Sequence, residues 1–317
     1  LAVIGIIAYV FYVISQYVIL WFSRVREYYA DDFAINVTGN PTGLGEALVK
    51  IAYGLGVSSS HAGKSSANKQ NTLGIFDSNA SKSLTITSYS GGQINKNRIL
   101  DAMKWEMWNV WAKWYELHST HPNVSKRLKA ISERCPQFGQ PKYIDFNFQQ
   151  PESYWDDFFG ELFILCLPWI TVVGILVLMI FMIVLNPDTD PVNYLLAMVG
   201  GLCAAHLIKL SFTHKDKDYV DTKVASLLGE VKVSGVTAIP CQLSGVIIGR
   251  GDPGCIFNED LVIQDETGIM FLDYKRVFRI MDKLTALFNH KKFLNKRLRI
   301  TGWYRRSPVP YVEIKQI

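Results

Sequence analysis

The sequence predicts a multi-pass α-helical membrane protein with a mainly α cytoplasmic domain and a small, OB-like β-barrel at its C-terminal end. Three observations carry this. Hydrophobic residues fill 49% of the 317 positions and charged residues 19%, below the roughly 25% of an ordinary soluble chain. Much of the apolar content is gathered into long uncharged runs, and the last part of the chain alternates between apolar and polar residues. The positive mean hydropathy, +0.12, argues against a plain soluble globule and against disorder over most of the length. The expected division is a transmembrane helix over 1–22, a cytoplasmic domain over 23–158, a transmembrane hairpin over 159–212 and a cytoplasmic β-rich domain over 213–317.

About 20 apolar residues suffice to cross a bilayer. Leu1 to Phe22 and Leu162 to Pro187 are uncharged throughout; Pro191 to Ile208 is shorter, with Lys209 as a snorkelling end. The first stretch lacks an initiating Met, a basic leader and a small-residue cleavage site, so a signal peptide is not expected and the stretch reads as a fragment whose upstream part is absent. Arg24 and Arg26 follow the first span, and Lys209, Lys215 and Lys217 follow the third. The turn between the second and third holds Asp188 and Asp190 and no basic residue. Positive charge marks the cytoplasmic side, so 23–160 and 210–317 are expected there. His206, inside the third span, is expected to make a helix–helix hydrogen bond.

Residues 23–36 continue the first helix out of the membrane. Asn40-Pro41-Thr42 starts a second, with Leu44, Leu48, Ile51, Ala52 and Leu55 on one face. Residues 56–72 read as a Ser/Gly/Asn-rich surface loop, and its Gly63-Lys64-Ser65 lacks the strand and first glycine of a phosphate-binding loop. Leu84 to Ser88 reads as a strand. Ile99 to His118 reads as one long helix whose Trp105, Trp108, Trp111 and Trp114 divide between core and membrane interface. Pro122 to Arg134 begins a further helix. The five cysteines, Cys135, Cys166, Cys203, Cys241 and Cys255, form no CxxC, which excludes a disulfide scaffold or zinc knuckle and favours a reducing compartment.

Toward the C-terminus, VKVSGVTAI, CQLSGVIIG, EDLVIQDETGIMFLDY and RLRITGWYRRSPVPYVEI alternate as strands do, with a basic helix expected over Val277 to His290. The excess charge also lies here: residues 211–317 hold 17 Lys and Arg against 12 Asp and Glu, whereas residues 1–210 balance. Lys291, Lys292, Lys296, Arg297, Arg299, Arg305 and Arg306 crowd the last strands, read as a solvated or lipid-facing surface ahead of a protein partner, and of nucleic acid least.

One constellation carries chemistry. Glu27 and Asp31 lie four apart, so they share one helical face a turn apart, and two acids there call for a cation. A zinc ion meets that need if one carboxylate ligates the metal and the other holds a histidine ligand. A network with Arg24, Arg26 or Arg127 meets it as well.

The run SRVREYYADDFAINVTGNPTGLGEALVKIAYG resembles the third-ligand segment of the HtpX-like membrane zinc metallopeptidases, relatives of the CAAX prenyl proteases. The run HSTHPNVSKRLKAI resembles their later His-Pro segment, and MKWEMWNVWAKWYELHSTHP one subgroup with extra C-terminal spans. The resemblance covers residues 1–135; the barrel shares only a looser similarity. It implies that residues 23–158 are part of a metallopeptidase domain and that the intact protein is a Zn2+-dependent endopeptidase acting on membrane or membrane-associated polypeptides. By this resemblance Glu27 is the third metal ligand, Asp31 the acid that buttresses the site, His121 the group that hydrogen-bonds the developing oxyanion, and Arg127 a brace. Asp32 looks solvent-facing, and His61 and His118 match no role. The family binds zinc through HExxH, and the six histidines of this sequence form no such motif. The missing part fits a cut N-terminus, and these residues alone are not expected to activate water. The alternative is a catalytically silent membrane scaffold whose basic barrel recruits a partner.

Overall fold

The computed structural model describes residues 2–59, 89–90, 93–94, 96–150, 152–186, 191–250, 261–273 and 293–316. The strand expected at 84–88, the basic helix expected at 277–290, Gly63-Lys64-Ser65, His61 and Cys255 lie outside them.

Helix α1 spans Ala2–Thr38. Its 37 residues rise about 55 Å at 1.5 Å each, well beyond the ~30 Å of a hydrocarbon core, so one rigid rod carries both an apolar stretch and the polar turns after it. Gly39 ends it at φ +61°, donating to the Ile35 carbonyl (2.8 Å), a left-handed cap that costs glycine little. Asn40 then caps α2 (Pro41–Ser59), accepting from the Gly43 amide at 2.9 Å, with Pro41 as the first helical residue. Helix α2 therefore includes residues 56–59, expected to begin a loop, and the rest of that expected loop lies outside the described residues. The buried face of α2 carries Leu48 and Val49, and Ile51 is exposed. Short strands β1 (Tyr89–Ser90) and β2 (Gln93–Ile94) pair antiparallel ahead of the next helix.

The single helix expected over Ile99–His118 is two, α3 (Lys96–Trp108) and α4 (Val110–Leu117). Asn109 makes the break. Its backbone is extended, its Oδ1 accepts from the Trp111 amide (2.8 Å), and its Nδ2 donates to the carbonyls of Val231 (2.8 Å) and Val233 (3.2 Å). Trp105 Nε1 also donates to Val233 O at 2.7 Å. The tryptophans divide between core and surface as expected. Trp105 and Trp111 are buried in one core shared with the C-terminal domain, Trp108 packs against that core, and Trp114 alone of the four is exposed. Helix α5 (Val124–Arg134) runs into a 3-10 turn at Cys135–Phe138. It completes a second core with Ile35, Leu48, Ile99 and Met103 around Leu128 and Ile131.

Helices α6 (Trp155–Leu185) and α7 (Pro191–Thr213) pack as a hairpin. Gly201 permits the contact, because a Cβ there would press on Thr171 and Ile175 of α6. The three helices α1, α6 and α7 are long and apolar enough to cross a membrane. Among the described residues His206 makes no helix–helix bond of the expected kind: its Nδ1 meets the Leu202 carbonyl of its own helix at 3.0 Å.

The C-terminal domain is a closed barrel of five strands: β4 (Ile239–Arg250), β5 (Leu261–Gln264), β6 (Ile269–Asp273), β7 (Arg297–Ser307) and β8 (Val309–Gln316), with the outlying β3 (Val220–Asp221) and the short helix α8 (Val224–Leu228) before it. The order around it is β4-β5-β6-β8-β7, closed by β7 on β4; β6 and β8 run parallel and every other barrel pair antiparallel. Glycine lets β7 and β8 lie close: a Cβ on Gly302 would overlap the Glu313 carbonyl. Residues 231–238 form turns instead of the expected strand, with Ser234 Oγ accepting from the amides of Val236 and Thr237 (2.9 Å each). Burial pushes the Cys241 thiol up to about 12, so it packs as an inert apolar group.

Two arginines assigned to the basic surface are interior. Arg305 is 2% exposed and donates through Nε to Glu313 (2.7 Å) and through its terminal nitrogens to the carbonyls of Gly235, Val236 and Thr213. Arg306 is 1% exposed and reaches α3. A strand buried on both faces demands partners for its charges, and these find them inside.

Candidate functional site

One face of α1 descends from polar to apolar in steps of three and four residues: Arg24, Glu27, Asp31, Ile35. Ile35 enters the core, Asp31 is 7% exposed, and the Glu27 side chain is 12% exposed. Opposite stand the loop after α4, which holds His121, and the first turns of α5, which hold Arg127.

Arg127, 3% exposed, binds Asp31 with two parallel bonds, Nε to Oδ2 at 2.8 Å and Nη2 to Oδ1 at 2.7 Å. This fork geometry makes the strongest class of protein ion pair. Its Nη1 lies 3.3 Å from Glu27 Oε2. On the other side, His121 Nδ1 lies 3.7 Å from Glu27 Oε1. The four residues singled out in the sequence therefore come together, and Arg127 is the cation that two acids on one helical face require. The two carboxylates are held unequally. Asp31 takes both strong bonds; Glu27, whose side chain is about as covered (12% against 10% exposed), is contacted at longer distances. Asp32, one residue on, turns outward to Arg134 (2.7 Å).

Arg24 and Glu116 fasten the His121 loop. Arg24 Nη1 donates to the carbonyls of Glu116 (2.8 Å), Leu117 (3.2 Å) and Ser119 (2.9 Å), satisfying the C-terminal end of α4 with a positive charge. Glu116, 8% exposed, pairs with Lys126 and accepts from the Asn123 amide at 3.3 Å. His118 bridges α1 and α4, with Nε2 3.0 Å from Tyr17 Oη and Nδ1 2.8 Å from the Trp114 carbonyl. Arg24, expected either to mark the cytoplasmic side or to pair with the two acids, instead binds the carbonyls of Glu116, Leu117 and Ser119, and its spacing of three from Glu27 puts it on the site's face. Glu116 lies far from the site in sequence, and nothing in its local pattern announced it.

The chemistry of this donor set fits one position of a zinc site, not a whole one. Glu27 is a largely covered carboxylate beside a buried ion pair, a setting suited to one ligand of a metal. Among the described residues no group of three His, Cys, Asp or Glu side chains converges to hold a metal.

Residues 2–135 match the family model Peptidase family M48. Over 52 residues the chain is 42% identical to the Protease HtpX homolog of Methanothermobacter thermautotrophicus, covering 16% of this chain and 20% of that one. Over 128 residues it is 29% identical to the Protease HtpX homolog of Aeropyrum pernix, covering 40% of this chain and 37% of that one. The chain thus spans well under half the length of these two relatives. No solved structure matches. The resemblance to the HtpX-like M48 metallopeptidases holds over residues 2–135, the segment that contains Glu27, Asp31, His121 and Arg127.

Proposed function

We propose that this chain supplies the third-ligand side of a zinc-dependent membrane endopeptidase that hydrolyses membrane or membrane-associated polypeptides. The observation that carries the reading is Glu27 itself, a side chain 12% exposed, flanked by His121 and backed by the Arg127–Asp31 fork. Zinc held there would supply Lewis acidity toward a substrate carbonyl and an attacking water. Glu27 would be one of its holders, beside ligands from outside the described residues. Asp31 and Arg127 fix the rotamer of Glu27 so that little entropy is lost when it ligates. His121 presents a ring nitrogen on the same side as Glu27, placed to donate a hydrogen bond to a carbonyl oxygen as it gains negative charge. Such donors contribute about 3–4 kcal/mol where they have been removed one at a time.

Three apolar helices and a peptidase-family match over the site-bearing segment support a membrane-embedded protease and do not favour the silent-scaffold alternative. The lysines after α7 and the arginines after the apolar part of α1 support a cytoplasmic site and barrel. The strand order of the barrel, with its single parallel pair, supports an OB-like fold, a candidate surface for a protein partner.

The test is metal analysis and proteolysis on the natural full-length protein. Glu27→Ala should lose zinc and activity together; full zinc content with full activity would end the ligand assignment. His121→Phe should keep zinc and lower turnover about 100-fold or more.

A further inference from the structure

The barrel is fastened to the helix pair that leads into the site, and the fastening ends inside α5. Arg306 leaves β7, lays its guanidinium 4.4 Å from the centre of the Trp105 ring, and donates through Nη1 to the Ala102 carbonyl at 3.1 Å. Its Nη2 lies 4.0 Å from Oε1 of Glu106, one helical residue beyond Trp105. The other oxygen of Glu106 accepts from the backbone amide of Ser125 at 3.2 Å.

That amide belongs to the first turn of α5, where the leading N–H groups have no partner within the helix. Asn123 is the residue placed to cap them, and its side chain makes no capping bond. The side-chain oxygen of Glu106 does so instead, reaching the Ser125 amide from another helix. Ser125 is fully buried, so no water replaces that bond at low cost. Two residues further along the same turn is Arg127, which grips Asp31 and touches Glu27. Two more ties hold α3 and α4 to the barrel side, Tyr115 Oη to Ser307 Oγ at 2.8 Å and Trp105 Nε1 to Val233 O.

We propose that the C-terminal barrel positions the candidate metal site: Arg306 orients Glu106, Glu106 caps α5 at Ser125, and the capped helix holds Arg127 beside Glu27 and Asp31. Arg306 and Glu106 are positioning residues, and the barrel is a working part of the site's scaffold. The consequence for turnover rests on the peptidase reading; the coupling from barrel to α5 does not.

Hydrogen exchange of the full-length protein in detergent, followed by mass spectrometry, tests it. In Arg306→Met, which keeps the stem on Trp105 and removes the cation, peptides covering residues 124–127 should exchange about tenfold faster while barrel strands β4 and β8 keep their protection. Glu106→Ala should do the same, and Glu106→Gln, which retains an acceptor for the Ser125 amide, should restore most of the protection. Turnover of Arg306→Met should fall with KM little changed. Unchanged exchange at 124–127 in both Arg306→Met and Glu106→Ala overturns the proposal, and Glu106→Ala carries the test alone if Arg306→Met does not fold. Faster exchange at 124–127 in a protein whose Glu27→Ala variant still holds zinc supports the coupling and removes the peptidase reading.

Discussion

Arg127 in the helical half and Arg305 in the barrel are both almost excluded from solvent and both grip a carboxylate through Nε, but the two neighbourhoods use the grip differently. Around Arg305 the acceptors belong to a joint. Its terminal nitrogens reach the carbonyls of Gly235, Val236 and Thr213, and the second oxygen of Glu313 meets His214 Nε2 at 3.1 Å. The last residue of α7 is thereby tied to two barrel strands. Around Arg127 the strong bonds go to Asp31, and Glu27 is left with longer contacts at 3.3 and 3.7 Å. A buried arginine–carboxylate pair makes a mechanical connection in one place and, on the proposed reading, braces a second acid in the other. What separates them is a second carboxylate, Glu27, beside the fork at 3.3 and 3.7 Å from Arg127 and His121.

The largest test of that contrast removes each arginine. Breaking a buried pair by deleting one partner costs about 3–5 kcal/mol, because a charge is left without compensation. Arg127→Met and Arg305→Met should each lose about that much in denaturant unfolding followed in detergent. Arg305→Met should also loosen the exit of α7, seen as faster exchange at 213–216, whereas Arg127→Met should leave that segment alone. A near-neutral Arg127→Met would mean that Asp31 is not a buried charge and that nothing braces Glu27.

A finer test compares the two acids. Asp31→Asn gives up two charge-assisted bonds and should cost about 2–3 kcal/mol. Glu27→Gln keeps its shape, loses only longer contacts, and should cost no more than about 1 kcal/mol in the metal-free protein. Equal costs would make Glu27 one more structural carboxylate, like Glu313. A small cost accompanied by loss of bound zinc is the signature of a residue held for chemistry.

How far these features could be read from the chain depends on how local their causes are. The apolar helices were legible because they need only composition and length, and the α1–α2 boundary because Gly39, Asn40 and Pro41 are local signals. The Glu27–Asp31 face was legible because helical periodicity places both there. That Arg127 is their shared cation needed a contact across 96 residues of sequence, and spacing alone left Arg24 and Arg26 equally eligible. The helix break at Asn109 was hidden because asparagine is tolerated within a helix; the carbonyls of Val231 and Val233 that decide it lie more than 120 residues away. The misassignment of Arg305 and Arg306 to the surface has the same origin. A basic residue in an alternating strand reads as outward-facing, and only the α3–α4 pair and the turns at 234–236 turn that face into an interior.

Glu106 offers the smallest effect and the sharpest link between the two halves. Burial raises its carboxyl above the ordinary value, and the nearby Arg306 pulls it partway back. An acid whose folded-state value is raised holds its proton more tightly folded than unfolded. Its contribution to stability is therefore complete below the ordinary carboxyl range and is lost as pH rises through the raised value. Glu106→Gln, which does not ionise, should gain on the wild-type protein as pH is taken from 4 toward 7, by less than either arginine substitution costs. Arg306→Met, by removing the charge that lowers Glu106, should move that loss to higher pH. Stability–pH curves that superimpose for the wild type and Arg306→Met would mean that Arg306 does not act on Glu106. The barrel would then touch α3 without reaching the turn that carries Arg127.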